Sequence, residues 1–360
     1  MRCTAVASRL LYSATMTELD DLRRRLTDLP DPEIAPGPAV EPAIADSVRY
    51  LASDEAERSI AVDVYWPKWH SPWWHMLLLH ELGEARRIPE RAVARMVEGL
   101  QVFPVKIFPI HPGELPPGAD PSRDVQCHCA LGCMAQILTA CGRDVARDLP
   151  WFEPWFVRYQ MADGGLSCDD AAYRVAGECP SSMVGTVAPL EAMLLGRPGE
   201  WSAERAAFVE RAAGFLIERQ LVLGSATAHN AEERAGQAAW LKPCFPRFYL
   251  YDVLRGLAAL VRWAEVTATP VPLSAIAPAL DHLLGRFPNG AIRRQRLSYA
   301  GVGTWAREPS GGWARRSPAF VFPLLEATSS LGEPCPHLTR QWSATRRALV
   351  GLIDGRRIAA

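Results

Sequence analysis

The sequence predicts an all-α fold, an α/α toroid of five to six helical hairpins, and three observations carry that prediction. Strongly apolar helical stretches begin near Trp73, Cys129, Met183, Tyr251 and Phe320. Each is followed by a second stretch whose apolar residues recur close to every 3.6 positions, leaving a charged face outward. Convincing period-two alternation is almost absent, and proline stands at helix starts rather than inside strands. A helix that is apolar all round must be buried, whereas a one-faced helix belongs on the outside, so the alternation describes two concentric layers. Repetition of such a unit means that each hairpin buries its apolar face on its neighbours.

The elements follow in order. A charged amphipathic helix is expected over 17–29, then a Pro-rich linker over 31–42 and a short helix over 43–52. Residues 1–40 therefore read as a partly disordered N-terminal extension and linker, and residues 41–360 as one toroid domain. Met16 serves as well as Met1 for a start. The tryptophan-dense run VYWPKWHSPWW leads into the first apolar helix. The paired outer helices are expected over 89–100, 151–160, 203–220, 273–287 and 339–354. The segment 301–313, rich in glycine, reads as a mobile surface loop that can cover a cavity.

Composition narrows the function classes. The chain has 360 residues, 49% hydrophobic and 22% charged, with 39 Lys+Arg against 40 Asp+Glu and a net charge of -1. A charge that balanced gives no reason to expect a nucleic-acid partner. No apolar run reaches the roughly 18 to 20 residues of a transmembrane helix, and the N-terminus is too weakly apolar for a signal peptide. Contact with a membrane surface stays compatible with this composition. Nine cysteines, an odd number and not spaced as a secreted disulfide ladder, suit a reducing compartment, so a cytoplasmic location is expected. The basic run Arg293, Arg294 and Arg296 reads as solvated surface.

The run RYQMADGGLSCDDAAY (158–173) resembles the repeat of the terpenoid cyclase and protein prenyltransferase superfamily, in which a Gln at a helix end and a DGG turn tie one hairpin to the next. The aromatic residue usual after that turn is Leu166 here. The runs CFPRFYLYDVLRGLAAL and ECPSSMVGTVAPLEAMLL are similar to inner helices of the same superfamily, especially of its bacterial squalene-cyclase-like members. The resemblance implies a toroid whose inner-helix starts converge on one mouth, and an isoprenoid or other small apolar substrate in the central cavity.

The residues that such a mouth would gather are Trp73, Trp74 and His75, then Asp124, Cys127, His128 and Cys129, then Cys168, Asp169 and Asp170, then Cys179, then the run from Cys244 to Asp252. Three chemistries fit them. Acid-initiated cyclisation needs a carboxylic acid kept protonated beside aromatic rings that stabilise a cation. The family's acid motif, Asp-x-Asp-Asp-Thr-Ala, is matched by Ser167-Cys168-Asp169-Asp170-Ala171-Ala172 with its first Asp and its Thr missing. That implies Asp169 or Asp170 as the acid, with Asp252, Tyr249 and Tyr251 beside it and Trp73, Trp74, Tyr173 and Arg255 around the substrate. Zinc chemistry instead needs three protein ligands with a fourth position open. The candidates are Asp124, Cys127, His128, Cys129, Cys168 and Cys179, used by a prenyl or related transferase. The third chemistry is a cysteine nucleophile at a helix N-terminus, at Cys127 or Cys179. A toroid that binds a lipid or a partner without catalysis is the reading from another class. Cys133 and Cys141 read as packing residues, and His70, His75 and His80 as a spacing that does not share one helix face.

Overall fold

The computed structural model describes residues 16–103 and 105–359, so the expectation of disorder in the first residues falls outside the described part. The N-terminal helices are α1 (Met16–Asp28), α2 (Val40–Leu51) and α3 (Asp54–Val62). The hairpins follow as α4 (Pro72–Glu81) with α5 (Glu90–Val102), and α6 (His128–Ala140) with the short α7 (Val145–Asp148) and α8 (Phe152–Tyr159). Next come α9 (Met183–Met193) with α10 (Ala203–Glu218), the short α11 (Ala231–Gly236), and α12 (Val253–Thr267) with α13 (Leu273–Arg286). The last are α14 (Pro323–Ala327) and α15 (Pro336–Asp354).

The two classes of helix behave as their sequences require. Helices α4, α6 and α9 are buried on nearly every side, and the outer α5, α8, α10 and α13 bury one face. Each inner helix starts at a residue suited to it. Pro72 opens α4, where its missing N–H is no loss. Ser182 caps α9 by accepting the Gly185 N–H at 2.9 Å, and Asp252 caps α12 by accepting the Arg255 N–H at 2.9 Å. Neighbours pack in the sequence α4 on α6, α6 on α9, α9 on α12, and α12 on α15. At the α6–α9 crossing a Cβ on Gly132 would lie 2.5 Å from the Ala188 carbonyl carbon, so this approach requires glycine. Leu77, Cys133, Glu191, Arg255 and Gln341, one from each of those five helices, border a single central cavity. Beside this series α2 packs on both α4 and α14, and the architecture is an all-α toroid.

The turn at Gln160 shows how successive hairpins are tied. The Gln160 amide donates to the Gly164 carbonyl at 2.8 Å and to the Phe208 carbonyl of α10 at 2.9 Å. Gly164 has φ +89, and a Cβ there would lie 2.1 Å from the Arg211 oxygen, so both its backbone and its surroundings demand glycine.

Three expectations are corrected. In the fifth hairpin α14 has only five residues, and α15, expected outside, packs on α12 with Trp342 fully buried. Part of the expected N-terminal extension is built into the fold: α1 lies on α15 with Leu22 and Leu26 in the core. Arg346 locks it there by donating to the carbonyls of Leu26 and Leu29 at 2.8 and 2.7 Å. The segment 301–313 is no open loop, since β2 (Thr304–Arg307) pairs antiparallel with β3 (Trp313–Arg316). The other strands are β1 (Val271–Pro272), which runs parallel to β4 (Ile358–Ala359).

Candidate metal centre

The site is built from three segments that precede or join inner helices. The first is the turn ahead of α4. Asp63 accepts the N–H groups of Tyr65 and Trp66 at 2.7 and 2.9 Å, and the Tyr65 carbonyl accepts from Ser71 Oγ and Trp74 Nε1 at 2.6 and 3.1 Å. This fixes an aromatic nest of Tyr65, Trp69, Trp73, Trp74, Phe248 and Tyr249, whose neighbouring ring centroids stand 4.3 to 6.1 Å apart. Lys68 projects from it, its own N–H bonded to Thr304 Oγ1 of β2 at 2.7 Å.

The second segment is the start of α6. Cys127 is the N-cap, with extended backbone, and Cys129 lies inside the first turn. The third is the loop that leaves the Gln160 turn, held by the Leu166–Ser182 bridge and by the Ser167 N–H on Tyr173 Oη at 3.2 Å. That loop brings Cys168 to the other two thiols. Cys127 Sγ and Cys129 Sγ are 3.1 Å apart, Cys168 Sγ is 3.5 Å from Cys129 Sγ, and all three sulfurs lie within 4.8 Å of one another. The S–H groups of Cys129 and Cys168, with the Ala130 N–H at the helix start, hold the Cys127 thiol well below its ordinary pKa. Cys129 and Cys168 are held well above theirs by the same contacts, since they keep the protons they share with Cys127.

Around a tetrahedral ion with Zn–S bonds of about 2.3 Å, two sulfurs stand roughly 3.8 Å apart. The 3.5 Å pair lies close to that separation, and the 3.1 Å pair reaches it by opening about 0.7 Å, shared between two side chains. Among the described residues no fourth Cys, His or carboxylate joins the group. Cys127 and Cys168 border a cavity of about 570 Å³ lined by Tyr65, Trp66, Lys68 and Phe108, and Cys129 lies behind them, 3% exposed. Three soft donors with an open side toward a cavity fit a catalytic rather than a closed structural zinc site.

The remaining candidates separate sharply. His128 lies among the thiols in sequence but is occupied. Trp155 Nε1, which can only donate, bonds His128 Nδ1 at 2.8 Å, so the imidazole proton sits on Nε2 and meets Tyr173 Oη at 3.0 Å. Tyr173 in turn donates to the Tyr159 carbonyl at 3.0 Å. Burial pushes His128 down to about 4, and both its nitrogens are spent on this chain. Tyr173 is thus a fixed partner of His128. Asp124 is paired with Arg123 at 2.7 Å, and neither it nor Cys179 joins the thiol group.

Asp169 and Asp170 are half exposed. Asp169 contacts His229 Nε2 at 2.7 Å and caps a short helical turn, and Asp170 pairs with Arg174 at 2.7 Å. Asp252 is fully buried, paired with Arg247 at 2.8 Å and accepting the Arg255 N–H at 2.9 Å, so its oxygens are taken up by the chain. Tyr251 donates to the Leu221 carbonyl at 2.7 Å inside the core. Trp73 and Trp74 are fully buried ring-packing residues of the nest rather than a cavity lining. Arg255 belongs to the central cavity, of about 270 Å³, where it pairs with Glu191 at 2.6 Å. That cavity is also lined by Glu81 and Arg247, so its wall is charged, whereas the cavity at the mouth is lined by Tyr65, Trp66 and Phe108. Tyr249 is the one expected aromatic residue that reaches the mouth chemistry, through Lys68 Nζ at 3.3 Å. Lys68, Tyr65 and Phe108 line this mouth with no motif to mark them, and the signal the sequence carries is a lysine inside a tryptophan-rich run.

No family model matches this chain, and no curated protein matches it. Among solved structures it is similar to a type II terpene cyclase from Scytonema, solved with geranylgeranyl dihydroxybenzoate as substrate. The identity is 14% and the TM-score 0.26, over 93% of this chain and 99% of that one. No residue role is carried over from it. Among the described residues no helix is long and apolar enough to cross a membrane.

Proposed function

We propose that the protein is a zinc-dependent transferase in which Cys127, Cys129 and Cys168 hold the metal and an apolar, isoprenoid-class group packs on Tyr65, Trp66 and Phe108. The observation that carries this reading is the meeting of three sulfurs from two separate loops at the edge of an open aromatic cavity, with no fourth protein ligand among the described residues. Zinc held by thiolates lowers the pKa of a thiol in the open position and keeps it nucleophilic at neutral pH. Such a thiol would form its bond to carbon as the bond from that carbon to its leaving group breaks, the electron pair going to the departing group. The chain's own residues orient the two reactants and exclude water, with the aromatic nest shielding the thiols from one side. Acid-initiated cyclisation has less to support it, because Asp169 and Asp170 are exposed and contact His229 and Arg174, and Asp252 is bonded to Arg247 inside the core.

Metal analysis tests the proposal. Protein purified under reducing conditions is expected to carry near-stoichiometric zinc. Cys129→Ser is expected to lose it while keeping its helical circular dichroism. A wild-type protein that is metal-free and takes up no zinc on dialysis would end the reading.

A further inference from the structure

Among the described residues that line the mouth cavity, the lysine, arginine and acidic side chains are Lys68, Arg123 and Asp170. Two are already neutralised by the chain itself, Arg123 by Asp124 at 2.7 Å and Asp170 by Arg174 at 2.7 Å. Lys68 is not. Its ammonium donates to Tyr249 Oη at 3.3 Å, and among the described residues no carboxylate lies within ion-pair distance of it. It stands instead in an aromatic cage, 5.3 Å from the Tyr249 ring centroid, 5.6 Å from Trp66 and 5.9 Å from Tyr65. Three aromatic faces stabilise a cation but accept few of its hydrogen bonds, so an ammonium placed there keeps donors to spare. A partly buried charge is costly unless something of opposite sign completes it.

We infer that Lys68 anchors the anionic end of the thiol substrate, which makes that substrate a small thiol carrying a carboxylate or similar oxyanion. The inference rests on the proposed metal centre, since the sulfur of the same molecule takes the fourth position beside Cys127 and Cys168. The thiol binds as thiolate and its proton leaves to solvent. Zinc with three cysteine thiolates carries one net negative charge, and a fourth thiolate brings it to two. A further anionic group on that ligand is repelled by the centre unless a cation stands at its far end. Lys68 is the cation of this cavity that is free to do so. The competing role for Lys68 is to offset the charge of the centre alone, in which case the tail of the thiol makes no difference.

The cobalt-substituted full-length protein distinguishes these roles, because its ligand-field and thiolate charge-transfer bands report both the centre and the arrival of a fourth sulfur. The probes are 3-mercaptopropionate, 2-mercaptoethanol and cysteamine. In the wild-type protein 3-mercaptopropionate is expected to bind about tenfold tighter than 2-mercaptoethanol, with cysteamine weakest. In Lys68→Gln the cobalt bands before thiol addition are expected to persist and the preference to vanish, and Lys68→Arg is expected to restore part of it. Equal affinity for the three thiols in the wild-type protein overturns the role of Lys68 and leaves the metal centre standing. Absence of cobalt bands altogether overturns the metal centre and this inference with it.

Discussion

In the central cavity each charged side chain meets its complement within the chain, whereas in the mouth cavity several strong groups do not. Arg255 rests on Glu191 and on the carbonyls of Phe248 and Leu250, Arg247 grips Asp252, and Glu81 accepts the Arg247 and Phe248 amides. At the mouth, three thiols share protons with one another and Lys68 faces aromatic rings. Satisfied buried ions close a ring of helices. The contrast is what supports the proposal of structure at the centre of this toroid and chemistry at its mouth.

The largest way to break that comparison is to break the centre. Arg255→Leu leaves Glu191 without its cation and removes the bonds to two carbonyls, and is expected to cost about 3 to 5 kcal/mol in urea unfolding. The folded fraction is expected to keep its zinc. Loss of zinc from folded Arg255→Leu protein would mean that the two cavities are one functional unit. A smaller effect is expected from pH. Burial holds the His80 pKa below its ordinary 6.5, so the folded state disfavours the proton that the unfolded chain accepts. This contribution to stability is whole above pH 6.5 and falls as pH drops below it. In His80→Gln the slope of stability against pH in that range is expected to be shallower, read from urea midpoints at successive pH values. An unchanged slope would place the acid sensitivity elsewhere. The smallest effect is expected at the exposed acids. Asp169→Asn and Asp170→Asn should leave zinc content unchanged and turnover within about twofold, as for surface ion pairs. A loss of turnover by orders of magnitude would return the acid to the mechanism.

Much of this architecture is legible in the sequence because helix periodicity and burial are local properties. The alternation of all-apolar and one-faced segments gives α4 to α13 in their layers, and Gln160 with Asp163-Gly164-Gly165 gives the tie to the next hairpin. The fifth hairpin misleads because an apolar run around Phe320 reads as an inner helix, although α15 carries Trp342 into that place. The meeting of Cys127, Cys129 and Cys168 follows once two inner-helix starts are put at one mouth. The exclusion of His128 does not follow, since it depends on Trp155 and Tyr173, whose donors come from outside the motif. Asp169 and Asp170 match a motif that says nothing of burial, and in the fold both are half exposed and paired with His229 and Arg174. Lys68 was passed over for a related reason. Its importance lies in the lack of a carboxylate partner, and a missing partner cannot be seen along a chain.

The central claim is the coordination of the metal, and X-ray absorption at the zinc edge of the purified protein tests it most directly. Three sulfur neighbours at about 2.3 Å with one oxygen at about 2.0 to 2.2 Å are expected, the oxygen giving way to a fourth sulfur when 3-mercaptopropionate is added. Four sulfurs before any thiol is added, or a first shell dominated by nitrogen and oxygen, would contradict a three-cysteine centre open to the mouth of the toroid.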